Sequence, residues 1–141
     1  MRSFLVLVAV LGGCAIVQQP APVSAPAAVP AASIGSAAIA SLVESARADA
    51  AAGRLANAAA SLERALRIEP RNPHLWQELA RVRLMQGDYG QAESVAARSN
   101  SWAGVDNRLR AENWRLIAQA REARGDAAGA RVALETAERQ R

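Results

Sequence analysis

Apolar side chains recur along most of this chain at the spacing of one face of an α-helix. Between Asn72 and Ala97 (NPHLWQELARVRLMQGDYGQAESVAA), Trp76, Leu79, Ala80 and Leu84 fall at i, i+3, i+4 and i+8. That spacing stacks them on one side of a 3.6-residue helix and demands a partner. Asn72 is a good N-cap, and Pro73 follows at the first helical position, where its missing N–H costs nothing. Gly87 supplies a left-handed C′ residue, and Asp88 with Gln91 forms a capping box for a second helix that carries Tyr89, Ala92, Val95 and Ala96. The stretch therefore predicts an antiparallel helix pair, with small Ala92 where the two helices must come close.

The pattern repeats. Thirty-four residues upstream, Leu42, Ala46, Gly53, Ala58, Leu62, Ala65 and Pro70 fall where Trp76, Ala80, Gly87, Ala92, Ala96, Ser99 and Gly104 sit. Thirty-eight residues downstream come Trp114, Ile117, Ala118, Gly125, Asp126, Ala130, Leu134 and Ala137. The arrangement W-x2-L-A-x6-G-D-Y-x2-A, with Ala65, Ser99 and Ala137 seven positions after the small alanine, resembles the tetratricopeptide repeat, whose period is 34. The resemblance covers about residues 39–141 and implies an all-α fold: three antiparallel helix pairs in a short right-handed solenoid. The departures are Asp49, Arg83 and Arg121 at a place that is usually aromatic, Ser99 for an alanine, and Gly104 for a proline.

The repeats are placed at about 39–72, 73–106 and 111–141, within a helical domain that starts at 36. In the first unit Ile39, Leu42, Val43 and Ala46 share a face, Gly53 ends the helix, and a second helix from about Leu55 to Ile68 turns Ala58, Leu62, Ala65 and Leu66 inward. Asn100 to Asp106 (NSWAGVD) reads as an irregular loop that absorbs the four extra residues. Asp106 caps a lengthened helix from about Asn107 to Arg124. Trp102 has two readings: a plug for this junction, or an exposed contact for a partner. Three repeats are about the minimum for a stable stack, and the outer face of the last pair is expected to stay partly uncovered.

Composition changes the picture mainly at the start of the chain. The formal charge is +4, with every basic residue an arginine and acidic residues interspersed. No Lys/Arg block or glycine-rich phosphate loop stands out, which argues against nucleic acid as a partner. Met1 to Cys14 (MRSFLVLVAVLGGC) has one positive charge and an apolar run from Phe4 to Leu11, too short to span a bilayer and suited to an export signal over residues 1–13. Leu11-Gly12-Gly13-Cys14 resembles the bacterial lipobox, which implies a covalent diacylglycerol and an N-acyl chain on Cys14, the only cysteine. An ordinary cleaved signal and an uncleaved anchor are the alternatives. Ala15, in place of the aspartate that commonly retains such proteins at the inner membrane, favours the outer membrane facing the periplasm. Residues 14–35 form a tether: Ala15 to Ser33 is uncharged, holds four prolines and shows no apolar periodicity. Ala15 to Ala38, extended at about 3.1 Å per residue, reaches roughly 75 Å.

Reaction chemistry is not visible. His74 is the only histidine, no metal-ligand cluster surrounds it, and Ser41 and Ser61 have no histidine or lysine to activate them. The sequence thus reads as no enzyme, with no cofactor beyond the lipid and no small-molecule substrate. In tetratricopeptide repeats the first helix of each pair lines a concave groove, which implies Val43 and Arg47 in the first unit, His74, Gln77, Arg81, Leu84 and Met85 in the second, and Glu112, Arg115, Gln119 and Glu122 in the third. Stacked arginines with glutamines between them suit a carboxylate-bearing or extended polar peptide; a solvated helical face is the other reading. The signal, lipobox, Ala/Pro tether and small repeat domain, together with ALRIEPRNPHLWQELARVRLMQGDYGQAE and RAENWRLIAQAR, resemble the LpoP-type outer-membrane lipoproteins that activate bifunctional (class A) penicillin-binding proteins. That resemblance implies a protein-binding regulator of peptidoglycan synthesis; an adaptor or scaffold for an envelope protease or for a secretion or pilus assembly complex, and a purely structural outer-membrane protein, are the alternatives.

Overall fold

The structure, a computed structural model, describes residues 31–140. The expected signal peptide, Cys14 and most of the expected tether lie outside the described residues. Six helices follow one another: α1 (Ala31–Ala51), α2 (Leu55–Ile68), α3 (Pro73–Met85), α4 (Tyr89–Trp102), α5 (Asn107–Ala123) and α6 (Ala127–Glu138). No strand occurs among the described residues. Consecutive helices pack as pairs, and each second helix also packs on the first helix of the next unit, while α3 and α5 touch directly. This is the helical solenoid of tetratricopeptide type that the repeat pattern implies.

The turns inside the pairs follow from glycine. Gly53, Gly87 and Gly125 have φ of 75°, 80° and 82°, a left-handed conformation that costs an L side chain roughly 1–2 kcal/mol. Asn72 accepts from the backbone N–H of His74 (3.0 Å) and Leu75 (3.3 Å), and Asp106 accepts from Leu109 N–H at 2.9 Å. Asp88 makes no such cap; its carboxylate turns toward Arg83 at 3.8 Å instead, so the expected capping box is absent.

Two apolar clusters make the core. Leu62, Leu66, Leu75, Leu79 and Val82 fill the space between the first two pairs; Leu116 and Ile117 fill the next with Ala80, Ala96, Ala118, Ala130 and Ala133. Burying each large aliphatic side chain stabilises the fold by about 1.5–3 kcal/mol. Alanine takes the crossings because a larger side chain would push the helices apart, and Ala58, Ala92 and Ala130 are all buried there.

Two boundaries differ from the sequence reading. α1 begins at Ala31, inside the stretch assigned to the tether, where alanine-rich sequence favours the helix. α4 runs on through Asn100 and Trp102, and the connection to α5 is only residues 103–106. The lengthened α5 is present as expected, with 17 residues where α3 has 13, and the four extra residues form its additional turn rather than loop. Leu134, in register with buried Ala96, is 48% exposed, because Ala133 faces the core and no described helix packs on the Leu134 side.

The departures from the repeat pattern have structural counterparts. Where an aromatic side chain would pack, Asp49 holds Arg54 (2.7 Å), Arg83 holds Glu63 (2.7 Å) and Arg121 donates its Nε to Glu93 (2.8 Å). Each of these contacts reaches out of the first helix of its unit. Gly104 is left-handed at φ 55°, which proline cannot adopt, and its carbonyl accepts from Arg110 at 2.8 Å.

Candidate functional site

The face formed by α1, α3 and α5 carries most of the predicted groove residues, but not as free cations. Glu44, Glu78 and Glu112 recur every 34 residues, as do Arg47, Arg81 and Arg115, so stacking the units interleaves the charges. Arg47 bridges Glu44 (3.1 Å) and Glu78 (3.3 Å). Arg81 bridges Glu78 (3.5 Å) and Glu112 (3.3 Å). Arg108 and Gln77 close the ladder on Glu112, each at 3.2 Å. The hydrogen bond and charge of Glu78 hold the Arg47 pKa above its ordinary value. Arg115 departs from the ladder and turns to Glu138 of α6 at 3.8 Å.

Beneath the ladder lies a hollow of about 130 Å³, floored by Val43, Ala46, Ala50, Leu62 and Val82 and rimmed by Arg47, Glu78, Arg81 and Met85. Met85 is 56% exposed at this rim. An apolar floor under alternating charges suits one apolar side chain entering from a polypeptide whose polar groups meet the rim. A second, more open hollow of about 240 Å³ is lined by His74, Gln77, Asp106, Arg108, Leu109 and Glu112.

The predicted groove residues therefore divide. Val43, Arg47, Arg81 and Met85 come together around the first hollow, and His74 and Gln77 meet at the second. Gln77 is only 5% exposed, so its amide is committed to Glu112. Leu84 packs against the second core cluster and Arg115 faces α6, while Gln119 and Glu122 are exposed on α5 away from both hollows. Glu44 and Glu78 were missed by sequence reasoning, although their 34-residue spacing from Glu112 was a readable signal.

Trp102 does not plug the α4–α5 junction. It is 41% exposed, and buried Ala103 and Leu109 fill the junction. Arg71, from the α2–α3 connection, lies over its ring at 5.2 Å. Trp76 is held differently: its indole N–H donates to the Pro70 carbonyl at 2.8 Å and Arg98 covers its face at 5.2 Å. A polar knot not anticipated from sequence joins α3, α4 and α5. The Ser99 hydroxyl donates to the Pro73 carbonyl at 2.7 Å, and the amide of buried Asn113 donates to Ser99 (2.7 Å) and to Asn100 (2.9 Å).

Comparison with known proteins agrees with this architecture. The tetratricopeptide-repeat family model matches residues 49–112. No curated protein matches the chain significantly. Among solved structures, the globular C-terminal domain of P. aeruginosa LpoP is 49% identical, superposes with a TM-score of 0.70, and aligns over 71% of this chain and 94% of that domain. With that identity across nearly the whole of the related domain, and the repeat architecture in common, the chain belongs to the LpoP-like tetratricopeptide-repeat proteins and is a protein-interaction module of that type.

Proposed function

We propose that this protein is a lipid-anchored regulator of a class A penicillin-binding protein, docking on the synthase from the periplasmic side of the outer membrane and raising its glycan-polymerising activity. The likeness to the LpoP globular domain is the observation that carries this reading. The lipobox-like Leu11-Gly12-Gly13-Cys14 and the Ala/Pro stretch after it supply an anchor and a spacer. Catalysis stays in the partner; the repeat domain favours the synthase's active state by binding it more tightly than the inactive one. The hollow between α1 and α3 is the proposed docking point, with Met85 and Val43 receiving an apolar side chain of the synthase.

The test adds purified residues 14–141 to the bifunctional synthase of the same cell and follows polymerisation of lipid-linked substrate. A rate increase that saturates with added protein is expected; no binding and no rate change would remove the reading. In cells, labelled palmitate should appear on the wild-type protein and vanish in Cys14→Ser.

A further inference from the structure

The two edges of the solenoid treat arginine differently. Along the edge of the turns within pairs, the cations are matched: Arg54 by Asp49, Arg83 by Glu63, and Arg121 and Arg124 by Glu93. Along the opposite edge, where one pair passes to the next, Arg108 pairs with Glu112 and Arg110 donates to Gln140, Gly104 and Asn107, but Arg67, Arg71, Arg98, Arg110 and Arg139 form no ion pair among the described residues, and Glu69 and Asp106 are the carboxylates of the connecting segments there. Glu69 accepts from the Asn72 side chain and Asp106 caps α5. This edge also carries exposed apolar groups: Ile68, Trp102 beneath Arg71, and Val105, which is 96% exposed. The chain enters α1 at the same edge, since a Cβ built on Gly35 would stand 3.9 Å from Ile68 Cγ2.

We infer that this edge is a docking surface for an anionic phospholipid bilayer. Guanidinium forks without carboxylate partners are suited to phosphodiester oxygens. An amphipathic indole flanked by Val105 and Ile68 fits the headgroup boundary, where tryptophan concentrates. Basic residues held near an anionic surface are attracted within about a Debye length, so the contact is salt-sensitive and reversible. Because residues 1–30 join the domain at this edge, any anchor they carry raises the local concentration of bilayer next to it. The repeat domain then exchanges between a state lying on the membrane and a state free to reach its partner, and the groove on the α1–α3–α5 face is left open in both.

The test uses residues 14–141 with Cys14→Ser, so that acylation plays no part, and measures co-sedimentation with vesicles of phosphatidylcholine alone and of equimolar phosphatidylcholine and phosphatidylglycerol. Binding to the anionic vesicles only is expected, with its loss at about 1 M salt, where the screening length is about 3 Å. The Arg67→Glu/Arg71→Glu pair should weaken partitioning by about tenfold or more. Val105→Asp, a change at a fully solvated position that cannot disturb the fold, should weaken it too, while Arg131→Glu on α6 should not. Equal binding to both vesicle types, or edge variants that partition like wild type, would overturn the inference. So would vesicles that fail to bind while the edge variants lose synthase activation, which would give this surface to a protein.

Discussion

Ser99 looks, in the sequence, like a mild lapse from the alanine that precedes and follows it in the other units, yet it is the centre of a buried polar knot. Its hydroxyl both donates to Pro73 and accepts from Asn113, whose side chain is 0% exposed. Removing it by Ser99→Ala leaves a buried amide donor one partner short, which costs about 1–3 kcal/mol. For a domain near 100 residues that lowers the melting temperature by several degrees or more, at roughly 4–8 °C per kcal/mol. The double variant Ser99→Ala/Asn113→Ala should cost less than the sum of the singles, because the two share one contact; thermal denaturation of the four proteins checks both statements. None of this was legible beforehand. Hydrophobic side chains announce themselves by period, whereas Asn113 meets Ser99 across two helices with no repeating signature.

The helix pairs were legible because their demands are local and recur. Glycine at each left-handed turn and alanine at each crossing are choices that backbone sterics and close approach enforce. Ala92→Leu should therefore force α3 and α4 apart and destabilise by about 1–3 kcal/mol, read in urea as a lower midpoint with an unchanged slope. Helix ends were less legible, for reasons specific to each. Asn100 and Ser101 look like loop, but the helix continues because Asn100 is held by Asn113 and Ala103 is buried. Asp88 has the composition of a cap, but Arg83 lies within 3.8 Å and competes for it. The length of α5 was legible, but the four extra residues were placed in the loop before it, because a 34-residue register holds at Asp106, Glu112 and Arg115 while a 38-residue register holds at Trp114 and Gly125, and only the packed helix shows how both are satisfied.

For the molecule as a whole, the question is which part of the α1–α3–α5 face gives a partner its affinity. The stacked arginines suggested a carboxylate ligand when read alone. In the folded chain Arg47 and Arg81 already share Glu78, and Arg81 also meets Glu112. An incoming carboxylate would only exchange one half-exposed ion pair for another, and such pairs contribute about 0–1 kcal/mol. The apolar hollow has no internal occupant to displace, so burying a partner side chain against Val43, Val82 and Met85 is the larger gain. Met85→Asp, at a position exposed enough to leave folding within about 0.5 kcal/mol, should then lower affinity for the synthase by about tenfold or more, the size of a contact at the centre of an interface. Arg81→Ala should lower it by only about threefold, the lesser effect of a rim charge. Titration calorimetry with the purified synthase separates the two, since equal losses from both variants would move the recognition from the apolar floor to the charged ladder above it.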